Sequence, residues 1–341
     1  MRIAQIAPLA ESCPPKLYGG TERIAHFLTE ELVRMGHDVT LFASGDSQTS
    51  AELVPCTPRA LRLVDGAVNL VPHHISMIER VGQRLADFDV VHFHIDLFHY
   101  PVVHSWDTPT VTTLHGRLDI PELYDCYGVF RDVPLVSISN NQRLPLPPVN
   151  WVGNIYHGLP ADLLPYNETG GDHLVFLGRI SPEKRPDRAI EIAVRSGRRL
   201  IMAAKIDDVD RAYWESEIRP LVEQHEQISF IGEVNEQQKA ELLGNAGALL
   251  FPIDWPEPFG LVMIEALACG TPVAAFPVAG PQDLVIDAVG ALSDDLDRAI
   301  DAALYCDRAA CADYGAKFSW VAATEQFLAG LAVVEGESLT A

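Results

Sequence analysis

Two carboxylates, Glu257 and Glu265, stand in the segment Glu-Pro-Phe-Gly-Leu-Val-Met-Ile-Glu-Ala-Leu-Ala-Cys-Gly-Thr-Pro, residues 257–272. Glu265 is the only charged residue between Phe259 and Gln282. The pattern around it predicts a short buried helix running into a buried strand. A buried carboxylate without a partner is costly, so Glu265 is expected to be hydrogen-bonded. Glu257 lies just before the helix, and Pro258 suits a first-turn position. The N–H groups of Phe259, Gly260 and Leu261 are then the expected unsatisfied donors of a helix N-terminus, where anions bind. Eight residues of helical rise would separate the carboxylates by about 12 Å. That is the span from sugar to ribose in a nucleotide sugar, with the diphosphate between. The plainer reading is one capping and one internally paired glutamate.

Other residues could serve the same ligand. In Gly178-Arg179-Ile180-Ser181-Pro182-Glu183-Lys184, Arg179 offers planar bidentate donors and Lys184 a point charge, a combination suited to a diphosphate. They could equally pair with Glu183 and Asp187. Lys205, at the end of the next strand, is a further cation. Tyr18-Gly19-Gly20-Thr21-Glu22-Arg23 joins the first strand to the first helix, where glycines admit a ligand close to the backbone. His115 ends a strand in Thr-Leu-His-Gly-Arg. His92, His94, His99 and His104 fit no common zinc spacing, and no matching Cys/Asp/Glu cluster stands near them. No metal site is expected.

The elements that position these residues alternate. Ile3–Ala7 reads as a buried strand, 21–35 as a helix stopped by Gly36, and 39–43, 89–94, 110–114 and 135–139 as further strands. The pattern then restarts with strands at 174–178, 200–204, 228–232, 248–251 and 272–276, and a helix at 187–196. A Gly-, Pro- and Asn-containing linker at 154–171 separates the halves, and a helix at about 318–331 could pack back on the first. Alternating strands and helices argue for parallel sheets covered on both faces. The expected fold class is therefore α/β, with two doubly wound Rossmann-like domains facing across a cleft. The boundaries are 1–155, with the tail helix, and 156–317.

The 341 residues suffice for two domains; 48% are hydrophobic and 21% charged. A net charge of −22, acidic in both halves, excludes a phosphate-backbone footprint and counts against an anionic membrane surface. Nucleic acid is not an expected partner. Six cysteines without a CxxC suggest reduced thiols and a cytoplasmic protein. The N-terminus lacks the apolar core length of a signal peptide.

Glu-x-Phe-Gly-Leu, the second glutamate, Ala-x-Ala-x-Gly-x-Pro-Val and the later Gly-Pro-Gln-Asp together resemble the donor-site signature of family 4 glycosyltransferases. The resemblance runs from Tyr18-Gly19-Gly20 to Phe318-Ser319-Trp320. It implies a GT-B, retaining, metal-independent transferase of the E-x7-E type, taking a nucleoside diphosphate sugar, by default UDP-glucose, and a small-molecule or glycan acceptor, with no cofactor. Within it, Glu265 would meet the ribose hydroxyls and Glu257 the donor sugar. Arg179, Lys184, Gly19, Gly20 and the backbone at Phe259, Gly260 and Leu261 would hold the diphosphate. His115 would lie beside the sugar, near the reaction centre. Retaining glycosidases place their carboxylates about 5 Å apart; the larger separation argued above favours a same-face mechanism instead. Two departures stand out: Ala279-Gly280-Pro281-Gln282-Asp283 replaces Gly-Gly-x-x-Glu, and the segment after Asp287 is short. Rivals are a GT-A transferase binding metal through Asp208-Val209-Asp210, a nucleotide-sugar epimerase, and a non-catalytic binding protein.

Overall fold

A computed structural model describes all residues except 17–18, 65–67, 161–162 and 339–341, and for 63 and 332–338 it describes the backbone alone. Tyr18 of the expected glycine loop thus lies outside the described residues. Contacts divide the chain into two units, Met1–Gly158 with Trp320–Ala341, and Leu159–Ser319.

The first unit holds seven parallel strands: β1 (Arg2–Ile6), β2 (Asp38–Ser44), β3 (Glu52–Thr57), β4 (Val90–Phe93), β5 (Thr110–Thr113), β6 (Leu135–Ser137) and β7 (Trp151–Asn154). They lie in the order β3-β2-β1-β4-β5-β6-β7. The central strands are buried along their length, as parallel strands covered on both faces must be; β4 and β5 expose nothing. Ile24, Leu28 and Leu32 recur on one buried face of the Gly20–Arg34 helix, which gives it its amphipathic stripe. Gly36, at φ +88°, supplies the left-handed residue that ends it. The Trp320–Ser338 helix packs on that helix and on β7, with the Phe27 and Trp320 rings 5.8 Å apart.

The second unit repeats the design with six parallel strands: β8 (Leu174–Arg179), β9 (Leu200–Lys205), β10 (Ile228–Gly232), β11 (Ala248–Phe251), β12 (Val273–Ala275) and β13 (Gly290–Leu292). Their order is β10-β9-β8-β11-β12-β13. Its core gathers Leu174, Phe176, Ile190, Met202, Ile218 and Leu250. The strand order reverses between β8 and β11, so the loops leaving these neighbours run in opposite directions and open a crevice at the strand C-termini. Arg179 ends β8, and Glu257 follows β11. This topology brings the two motifs together.

β3, β7 and β13 were not expected from the sequence pattern. Asn154 belongs to β7, so the connection between the units begins after it. The two parallel sheets are those of a GT-B fold and rule out the GT-A reading of Asp208-Val209-Asp210, which forms an exposed turn where Asp208 meets Arg211 at 3.2 Å. No described helix is long and apolar enough to cross a membrane.

Candidate functional site

The segment around Glu257 differs from its sequence reading. The helix spans Leu261–Ala268, with Gly260 as its cap at φ +86°. Pro258 is therefore outside the first turn, and the first-turn donors are the N–H groups of Leu261 and Val262 rather than Phe259 and Gly260. The rise of a helix cannot be applied between Glu257 and Glu265, because 257–260 is irregular. The cause is local. Phe259 is buried, and Gly260 takes a left-handed conformation where a β-carbon would lie 2.7 Å from the Met263 methyl. The segment is also clamped from behind. Gly280 donates its N–H to the Glu257 carbonyl at 2.9 Å, and a β-carbon there would sit 2.5 Å from the Phe259 oxygen. Ala279 beside it adopts φ +45°, ψ −120°, a conformation that glycine takes readily and alanine does not. The first glycine of the family's Gly-Gly thus has a backbone reason to be there.

Lys184, in the turn after β8, forms an ion pair with Glu257, both side chains being about 15% exposed. Its ammonium also lies 4.9 Å from the centre of the Trp255 ring, within cation–π range. Two of the expected site residues, distant in sequence, are thus in direct contact. Arg179 pairs with Glu183 at 2.5 Å and lies 3.7 Å from Asp207. In sheet register it stands beside Lys205, which holds Asp207 at 2.9 Å. The cations at this sheet edge are accompanied by carboxylates. Exposed pairs of the Arg179–Glu183 kind are worth about 0–1 kcal/mol, so an incoming anion could take over their donors at little cost.

Glu265 is buried and does have a partner: the Lys239 ammonium donates to its Oε1 at 2.6 Å. Lys239 is itself buried and reaches Glu236 at 2.8 Å. Burial of that ammonium acts to lower its pKa, but the two carboxylates outweigh burial and raise it above the ordinary lysine value. Lys239 escaped sequence reading because it lies 26 positions away. The available signal was a lysine on the buried side of the Glu236–Gly244 helix, among Ala240, Leu242 and Leu243.

In the first unit, Gly19 caps the Gly20–Arg34 helix in an extended conformation. A β-carbon at Gly19 would lie 2.8 Å from Pro15, whereas one at Gly20 would meet nothing within 4 Å. Tight packing requires the first glycine, and the second leaves open room. Glu22 secures the preceding loop by accepting the Glu11 N–H at 3.1 Å, and burial raises its pKa.

His115 follows β5 and is half-buried. Its Nε2 lies 2.8 Å from His94 Nδ1, and its ring stacks on His157 at 5.5 Å. His92 and His94 both reach the Gln5 carboxamide, at 3.0 and 2.9 Å. Sequence spacing alone did not join His157 to this group, since it comes from beyond β7. Burial pushes the His115 imidazole down to about 3, so the ring is neutral near pH 7. That is far from the pKa near the operating pH that suits a general base.

Residues 18–151 match the family profile described as Glycosyltransferase Family 4, and residues 167–315 that described as Glycosyl transferases group 1. The D-inositol 3-phosphate glycosyltransferase of Mycolicibacterium smegmatis is 30% identical, with 88% of this chain and 82% of that protein covered. Among solved structures, the sucrose-phosphate synthase of Thermosynechococcus elongatus superposes with a TM-score of 0.77 at 19% identity, covering 98% of this chain and 99% of that one. Anabaena Alr3699/HepE in complex with UDP and glucose superposes with a TM-score of 0.73 at 16% identity, covering 98% and 100%.

Proposed function

The chain belongs to glycosyltransferase family 4, a sugar-transferring enzyme of the GT-B fold, and on that premise we propose that it transfers a sugar from a nucleoside diphosphate sugar with retention of configuration and without a divalent metal. The observation that carries this reading is the meeting of Lys184 and Glu257 at the switch point of the second sheet, beside Arg179 and the start of the Leu261–Ala268 helix. Cations and helix N–H groups face the diphosphate, while Glu257 takes hydroxyls of the sugar and Glu265 those of the ribose. As the glycosidic bond to phosphate breaks, charge grows on the leaving diphosphate. Lys184, Arg179 and the N–H groups of Leu261 and Val262 stabilise it in this reading. The departing phosphate oxygen takes the acceptor's proton on the face it leaves. His115 is neutral and is not required as a base. UDP-glucose is the first donor to try, because the structurally similar Anabaena protein holds UDP and glucose.

The test is transfer from UDP-glucose to a panel of hydroxyl acceptors in EDTA, followed by proton NMR of the product's anomeric coupling. An α-linked product formed in EDTA is expected. Activity abolished by chelation and restored by Mn²⁺ would overturn the metal-free reading. Epimerised donor, formed without any acceptor, would mark an epimerase instead.

A further inference from the structure

Glu265 would be a poorly fixed acceptor for a ribose diol if it stood alone, because a buried carboxylate without a partner is costly to hold in place. Lys239 places a cation beside it, at 2.6 Å from Oε1. Among the described residues, Oε2 receives no hydrogen bond. Lys239 is in turn anchored by Glu236 at 2.8 Å, on a helix whose start is fixed by a capping box between Asn235 and Gln238. Both partners of the 2.6 Å pair are buried, so water and salt screen it little. We propose that Lys239 is a positioning residue for nucleotide recognition, fixing the Glu265 carboxylate in one rotamer so that its remaining lone pairs meet the ribose hydroxyls. This rests on the reading of Glu265 as the ribose ligand.

The other titratable or charged groups on elements packed against the Leu261–Ala268 helix do not replace Lys239. Cys269, at its end, has a thiol that burial pushes up to about 12 and that stays neutral. Arg308, on the Arg308–Gly315 helix, spends its guanidinium on the carbonyls of Asn167, Gly244, Ala246 and Cys269 and on the Thr271 hydroxyl. Asp283, on Gly280–Leu284, and Glu236 carry the wrong sign.

The experiment is calorimetric titration of UDP into wild type, Lys239→Met, Lys239→Arg, Glu265→Gln and the Lys239→Met/Glu265→Gln double variant. Lys239→Met is expected to weaken UDP about tenfold. In the Glu265→Gln background, Lys239→Met should add nothing. Lys239→Arg keeps the charge and is expected to restore most of the affinity, which serves as the readout if Lys239→Met folds poorly. Unchanged affinity in Lys239→Met, an equal loss in the Glu265→Gln background, or a loss in Lys239→Arg as large as in Lys239→Met overturns the proposal. Unchanged UDP affinity in Glu265→Gln overturns instead the ribose reading on which it rests.

Discussion

Lys184→Ala is expected to lower turnover by about two to three orders of magnitude, the usual effect of removing one preorganised donor from a developing anion. Two effects act together. The variant loses a cation held in place by Glu257 and by the Trp255 ring, and it leaves the Glu257 carboxylate without its counter-charge. Glu257→Gln separates them. It should also reduce turnover, because the sugar loses a charged acceptor. Yet it should tighten free nucleoside diphosphate, since Lys184 is released from its carboxylate. Steady-state kinetics alongside calorimetry check both variants. If the two lower diphosphate affinity equally, the division of roles is wrong.

Glu265→Ala is expected to weaken donor and free nucleoside diphosphate alike, because the ribose belongs to both. Hydrogen bonds to a charged group contribute about 1.5–3 kcal/mol, so the loss should be roughly ten- to hundredfold. The substitution also strips Lys239 of its buried partner, which costs stability, and a lowered melting temperature is expected with it. Equal affinities for wild type and variant, measured on folded protein, would remove Glu265 from the nucleotide site.

Much of the fold can be read from alternation of apolar runs with amphipathic stretches. What escapes such reading has physical reasons. β3, β7 and β13 are all edge strands of their sheets. β3 carries Pro55 and is only partly buried, β7 is a half-exposed Trp-Val-Gly-Asn, and β13 is three residues long. Edge strands tolerate proline and do not need the continuous apolar run that marks a central parallel strand. At the site, Glu257, Glu265, Arg179 and Lys184 stand out through residue type and spacing. Their partners do not. The Lys184–Glu257 contact depends on strand order, which periodicity along one chain cannot give. Lys239 meets Glu265 across two helices. The start of the Leu261–Ala268 helix was misplaced because Pro258 is as much at home in a tight turn as in a first helical turn. The positive φ of Gly260 decided between them.

The central claim is that the second unit binds a nucleoside diphosphate through side chains and helix N–H groups alone. Calorimetric titration of UDP, GDP and ADP into wild type and Lys184→Ala, both in excess EDTA, tests it most directly. One of the three should bind wild type at one site without metal and bind Lys184→Ala far more weakly. Binding of none until Mn²⁺ or Mg²⁺ is added, or undiminished binding to Lys184→Ala, would contradict the account.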